Sequence, residues 1–200
     1  MAIRNIRVMG DPCLYQRAKE IEFTQASESF IRQIITDLID TLKDAGGIGI
    51  AAPQIGLPLR IIVLNIDENR ANAEHCTPIY FEAHINPKIT VSEEDTVENL
   101  EACLSLPGLA GTVSRSKRII FESYDYQGKH STYDVNNLIA RVVQHEIDHL
   151  DGQLYWSKIK NLSKFGFIEH MLSPEQLKAK KHLIDKQRAI LLNIEPALQQ

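Results

Sequence analysis

The 200-residue chain has only three cysteines, Cys13, Cys76 and Cys103. An odd count, without the spacing of small stapled domains, excludes a disulfide framework and leaves each thiol free to pack or to bind metal. Long apolar runs are missing as well. No stretch approaches the roughly 20 residues of a membrane helix, and Gly10-Asp11-Pro12 breaks the N-terminal region before an apolar signal core could form. Neither sign of charge dominates. With 22 Lys plus Arg against 26 Asp plus Glu, the net charge of -4 gives no general attraction to nucleic acid or anionic membranes. Internal repeats, low-complexity tracts and linkers are absent too. These absences point to a cytoplasmic protein forming one domain over residues 1–200, with a small or local ligand rather than a polyanion.

The pattern that is present is α+β. Phe30, Ile31, Ile34, Ile35, Leu38, Ile39 and Leu42 recur at helical spacing and predict a helix from about Glu28 to Lys43, stopped by Gly46-Gly47. Leu59 to Ile66 is short, branched and apolar, hence a buried strand. Ile79 to Ile89 reads as another, closed by Asn86-Pro87. Val113 to Tyr126 predicts a strand that turns at Tyr126-Gln127-Gly128-Lys129 and returns over Ser131 to Val135. Ser92 to Glu98 reads as a surface loop. Leu138, Ile139, Val142, Val143, Ile147 and Leu150 predict a second helix over Asn136 to Leu150, ended by Gly152. Ser173-Pro174-Glu175 starts a third, to about Leu192, within a C-terminal helical extension over about 173–195. The expected architecture is antiparallel or mixed sheets around the central helix, with an N-terminal and a C-terminal helix.

The central helix carries the chemistry. His145-Glu146-Ile147-Asp148-His149 is an instance of His-Glu-x-x-His. Four residues at about 100° each bring His149 within about 40° of His145, one turn on, so both imidazoles can meet one metal ion. Glu146 points elsewhere, toward a water that such an ion would hold. A buried charge of this kind needs a partner or a task. A catalytic site of this type takes three protein ligands. A later histidine is excluded, because Tyr155 stands where it would fall. Glu169, in the apolar run Phe165-Gly166-Phe167-Ile168-Glu169, would make a His₂Glu peptidase. Cys103, in Glu101-Ala102-Cys103-Leu104-Ser105-Leu106-Pro107-Gly108, would supply a soft sulfur and ranks ahead of it. Both stay open on the residues alone.

Gly47-Ile48-Gly49-Ile50-Ala51-Ala52-Pro53-Gln54, Glu101-Ala102-Cys103-Leu104-Ser105 and Gln144-His145-Glu146-Ile147-Asp148-His149-Leu150-Asp151-Gly152 together resemble, in order, the three motifs of the peptide deformylase family. Gly10-Asp11-Pro12 and Asn86-Pro87 add smaller likenesses, and the resemblance spans about residues 5 to 160. It implies removal of the formyl group from formylmethionyl nascent peptides, releasing formate. It further implies one divalent ion held by Cys103, His145 and His149, Fe²⁺ in the cell with Zn²⁺ or Ni²⁺ possible in purified protein, and Glu146 as acid and base. Gln54, Gly49 and the Leu104 backbone N–H would hold the formyl group and peptide, with Ile48, Leu138 and Val142 near the methionine side chain. Arg115 matches a basic position and is expected to pair with Glu101. The family usually has glycine where this chain has Ala102; if that glycine needs φ > 0 or touches substrate, the chain would be a slow or merely peptide-binding relative. Lys178, Lys180, Lys181, Lys186 and Arg188 give the C-terminal helix a basic bias that suits either solvent or a ribosomal surface.

Overall fold

The structure, a computed structural model, describes residues 2–24, 28–91 and 95–192. Helix α1 (Glu28–Ala45) sinks Ile31, Ile34, Leu38 and Leu42 on one face, the stripe that their spacing dictates. It ends where Gly46 N–H donates to the Leu42 carbonyl. Five strands form the larger sheet: β1 (Gly49–Ala51), β2 (Ile61–Ile66), β3 (Ile79–Val91), β6 (Arg118–Tyr124) and β7 (His130–Asn136), antiparallel in the order β1-β2-β3-β6-β7. A smaller antiparallel sheet joins β4 (Thr96–Ala102), β5 (Leu109–Ser116) and β8 (Phe165–Phe167) in the order β4-β5-β8. The remaining helices are α2 (Glu68–Ala73), α3 (Asn137–Leu150), α4 (Ile168–Met171) and α5 (Pro174–Leu192).

The two long amphipathic helices sandwich the larger sheet. Ile61 and Val63 face the α1 residues in one core cluster; Ile62 and Leu64 face Val143, Ile147 and Leu150 of α3 in another. Strand β2 is therefore buried on both sides, which explains its unbroken apolar sequence. No helix among the described residues is long and apolar enough to cross a membrane.

Three sequence expectations need correction. The run read as one strand over Val113 to Tyr126 is two strands in different sheets, parted at Lys117. Val113 and Arg115 are buried, and so are Ile119 and Phe121; the alternation keeps its phase through the break, with no glycine or proline to mark it. Asn86-Pro87 does not close β3. The register with β6 shifts there instead, with Asn86 at φ +49°; proline, lacking an N–H, is tolerated at such a bulge. The loop expected over Ser92 to Glu98 is already β4 from Thr96, because Thr96 and Val97 pair with Ser116 and Arg115; Ser92 to Glu94 lie outside the described residues.

Strands β1 and β4 each form a free edge of their sheet. Helix α3 packs against β1 and β5, and Glu101 on β4 bonds to its His145, so the two edges flank the helix that carries the histidine motif. At the end of α3, Gly152 takes φ +72°, and a side chain there would strike the Tyr15 backbone at 2.8 Å. Only glycine suits that turn. Arg60 secures the same end, donating to Asp151 Oδ1 at 2.7 Å.

Candidate metal centre

His145 and His149 stand one turn apart on α3, ring centroids 5.1 Å apart and nearly perpendicular. Cys103 arrives from the turn that follows β4 and sets Sγ 3.2 Å from His149 Nε2. The donor atoms of Cys103, His145 and His149 all lie within 4.8 Å of one another. Ligand atoms around a tetrahedral ion with bonds of roughly 2.0–2.3 Å stand about 3.5 Å apart, so this trio fits one divalent cation. Among the described residues it is the only such group of His, Cys, Asp or Glu. Glu169, on α4, is outside it.

A buried ionic network holds the trio from behind. His145 Nδ1 meets Glu101 Oε2 at 2.9 Å, which leaves its Nε2 for an ion. Arg115 Nε and Nη2 donate to the two Glu101 oxygens, each at 2.8 Å, so the expected pairing is present and bidentate. Arg115 Nη1 also donates to Asp148, itself 3.1 Å from Lys158 Nζ. Burial alone would raise the Glu101 pKa, but Arg115 and His145 hold it down at about 2. Burial likewise works against a charged His145, and the neighbouring Cys103 and Glu101 carry it well above the ordinary histidine range. His149, buried and beside that charge, is pushed well below it.

Glu146 has a different environment. It is buried, and its Oε2 has no hydrogen-bond partner; burial raises its pKa to about 7, with the His145 charge opposing. Its carboxylate lies against the Gly49 backbone on β1. A Cβ at Gly49 would sit 2.3 Å from Glu146 Oε1, so the glycine makes room for the acid.

Gln54 is fully buried and braced: its Oε1 accepts from Ala51 N–H at 2.8 Å. Its amide nitrogen donates to Ser105 Oγ at 3.1 Å and reaches toward Cys103 Sγ at 3.6 Å. The Leu104 side chain packs in the α1 core. Ile48, Leu138 and Val142 come together in the α3 cluster. Ala102 is the last residue of β4, exposed, and is not among the residues with positive φ. The backbone reason for glycine at that position therefore does not apply here.

Three contributors escaped the sequence. Tyr155 stacks on His145 with centroids 6.0 Å apart; it drew notice only as the residue that excludes a third histidine. Asp148 shares Arg115 with Glu101, and its place three residues after His145 in a helix was the available signal. Ser105 closes the second motif, but nothing in the sequence gave it a role.

A sequence profile of polypeptide deformylases matches residues 3–165. A peptide deformylase from Dictyoglomus turgidum is 41% identical over 152 residues, 76% of this chain and 90% of the relative. Another, from Lachnoclostridium phytofermentans, is 42% identical over 159 residues, 80% of this chain and 90% of the relative. The crystal structure of peptide deformylase from Thermotoga maritima superimposes with a TM-score of 0.70 at 32% identity, covering 80% of this chain and all of that one. With the trio of donors, the buried glutamate beside them and these matches in agreement, the chain belongs to the peptide deformylase family of metal-dependent hydrolases.

Proposed function

We propose that the chain, folded as one domain with α5 as its extension, hydrolyses the formyl amide of formylmethionyl nascent peptides in the cytoplasm, with one ion held by Cys103, His145 and His149. The observation that carries this reading is the trio of donors within 4.8 Å, with the unpartnered carboxylate of Glu146 beside it. Soft sulfur with two imidazoles suits ferrous iron in the cell and accepts zinc or nickel. An ion bound there supplies Lewis acidity to the formyl carbonyl and acidifies a water.

The protein's own groups do the rest. A peptide lying between the free edges of β1 and β4 can add as a strand, its methionine side chain against Ile48, Leu138 and Val142, with Gly49 allowing close approach. Gln54 Nε2 and the Leu104 N–H donate to the oxygen that gains charge as water attacks. Glu146, with a proton affinity near neutrality, takes the proton from the attacking water. It returns it to the amine nitrogen as the C–N bond breaks, giving formate and a free N-terminus. Contact of α5 with the ribosome rests on its exposed Lys178, Lys180 and Lys181 and is checked by co-sedimentation.

The test is formate release from a formylmethionyl tripeptide by protein prepared anaerobically with ferrous iron and, in parallel, with zinc. Metal content is followed in Cys103→Ala and Glu169→Gln. Turnover, with metal lost in the first variant and kept in the second, is expected. No turnover at full metal occupancy would overturn the assignment, and metal loss in Glu169→Gln alone would favour the His₂Glu peptidase.

A further inference from the structure

The pocket proposed for the methionine side chain has a polar wall. At about 100° per residue, Leu138, Val142, His145 and His149 fall within about 60° of one another on α3, and Arg141 lies about 40° from His145, on the side away from Val142. Contacts fix which side is which. His145 bonds to Glu101 on β4, whereas Glu146, about 40° beyond Val142, lies against Gly49 on β1. Arg141 is therefore on the β4 side of the face that carries the metal ligands, turned away from Val143, Ile147 and Leu150, which pack on the sheet. With the Asn99 carboxamide oxygen turned toward it, Arg141 Nη1 donates to that oxygen at 2.9 Å and Nη2 shares it. Asn99 stands two residues before Glu101, hence on the same face of β4. The Arg141–Asn99 contact is a second rung between α3 and β4, next to His145–Glu101.

This arginine is short of acceptors. The buried Arg60 and Arg115 each hold a carboxylate. Arg141 is half-buried, and among the described residues its hydrogen-bond partner is the neutral Asn99. Glu101, on the neighbouring rung, is engaged by Arg115 and His145. Arg141 Nε is buried and has no partner at all. A pocket for a wholly apolar side chain has no use for such a donor, because burying it unpaired is destabilising.

We infer that Arg141 is a specificity residue that gives the first-residue pocket a hydrogen-bond donor, so that the site accepts formyl peptides whose first side chain carries an acceptor oxygen, methionine sulfoxide above all. The inference rests on the deformylase reading of the same site. A thioether sulfur is a weak acceptor. Oxidation makes it a polar, chiral sulfoxide on the same carbon chain, which an apolar wall would reject and a guanidinium can hold. A hydrogen bond to a charged donor is worth about tenfold or more in affinity. Because the donor stands on the β4 side alone, one sulfoxide epimer is favoured. Nascent peptides with an oxidised first residue would then still lose their formyl group.

The experiment uses the full-length, metal-loaded chain and formyl-X-Ala-Ala peptides in which X is methionine, norleucine or either epimer of methionine sulfoxide. The readout is the ratio of kcat/KM for the better sulfoxide epimer to that for norleucine, which cancels any general loss of activity. The parent chain should give a ratio above one. Arg141→Leu should lower it about tenfold or more, and Arg141→Lys should retain part of it. Asn99→Asp, which gives the guanidinium a carboxylate of its own, should lower the ratio with Arg141 in place. A parent ratio below one, or a ratio unchanged in both Arg141→Leu and Asn99→Asp, overturns the inference. Should Arg141→Leu fail to fold, Asn99→Asp decides alone. Absence of formate from the methionine peptide in the parent chain would instead defeat the deformylase reading.

Discussion

Glu101 and Glu146 flank the same histidine, and both are buried, yet they are opposites. Glu101 meets a bidentate arginine and the His145 ring, and stays ionised with a pKa held at about 2. Glu146 has an oxygen without a partner and a pKa raised to about 7. Burial acts on both in the same direction; the hydrogen bonds that Glu101 accepts from Arg115 and makes with His145, and that Glu146 lacks, make the difference. A carboxylate locked in its charged form can orient a ligand. One balanced between two protonation states can move a proton. One side of the trio is thus built for rigidity and the other for exchange.

The largest expected effect comes from breaking the rigid side. Glu101→Gln removes the charge that compensates Arg115, leaving Asp148 as its remaining carboxylate. The loss should be about 3 kcal/mol of unfolding free energy, read from denaturant midpoints, with metal affinity falling about 10- to 100-fold.

A third buried titratable group, away from the trio, isolates the contribution of burial. His84 is 2% exposed, bonded to Ser123 Oγ at 2.9 Å and set edge-on against Phe121 and Tyr133. Burial lowers its pKa to about 4. Above pH 6.5 the ring is neutral folded or unfolded and contributes no pH dependence. As pH falls from 6.5 toward 4 the unfolded chain takes up a proton that the folded chain refuses, so stability declines, by about 3 kcal/mol over the whole window. Denaturation curves at pH 7 and 4.5 should show this decline in the parent chain and a smaller one in His84→Phe.

The smallest of the three effects is steric. Gly49→Ala places a methyl group 2.3 Å from Glu146 Oε1, so the acid has to move. A displacement of about 1 Å costs on the order of 100-fold in rate, which formate release at saturating metal should record with little change in metal content.

Much of this contrast was legible in the sequence, for a physical reason. His145, Glu146 and His149 lie within one helical turn and a half, where spacing fixes direction. The Glu101–Arg115 pair spans a hairpin and needed the family resemblance. Cys103 could be ranked above Glu169 but not chosen, because a lone cysteine carries no directional signal until its neighbours are placed. The same holds for Asn86-Pro87, read as a stop and found as a bulge, and for the hidden break at Lys117. Both depend on which sheet a strand joins, and that is decided by distant partners. Helix α5 shows the limit most plainly: its start at Ser173-Pro174 was readable, but what Ile184 packs against was not.

The most direct test of the division of labour sets Glu146→Gln beside Glu101→Gln, measuring bound metal and formate release per bound metal in the same preparations. Glu146→Gln should keep its metal and lose about 10³-fold in turnover, while Glu101→Gln loses metal but retains most of its turnover per ion bound. Turnover surviving within tenfold in metal-loaded Glu146→Gln would contradict the account.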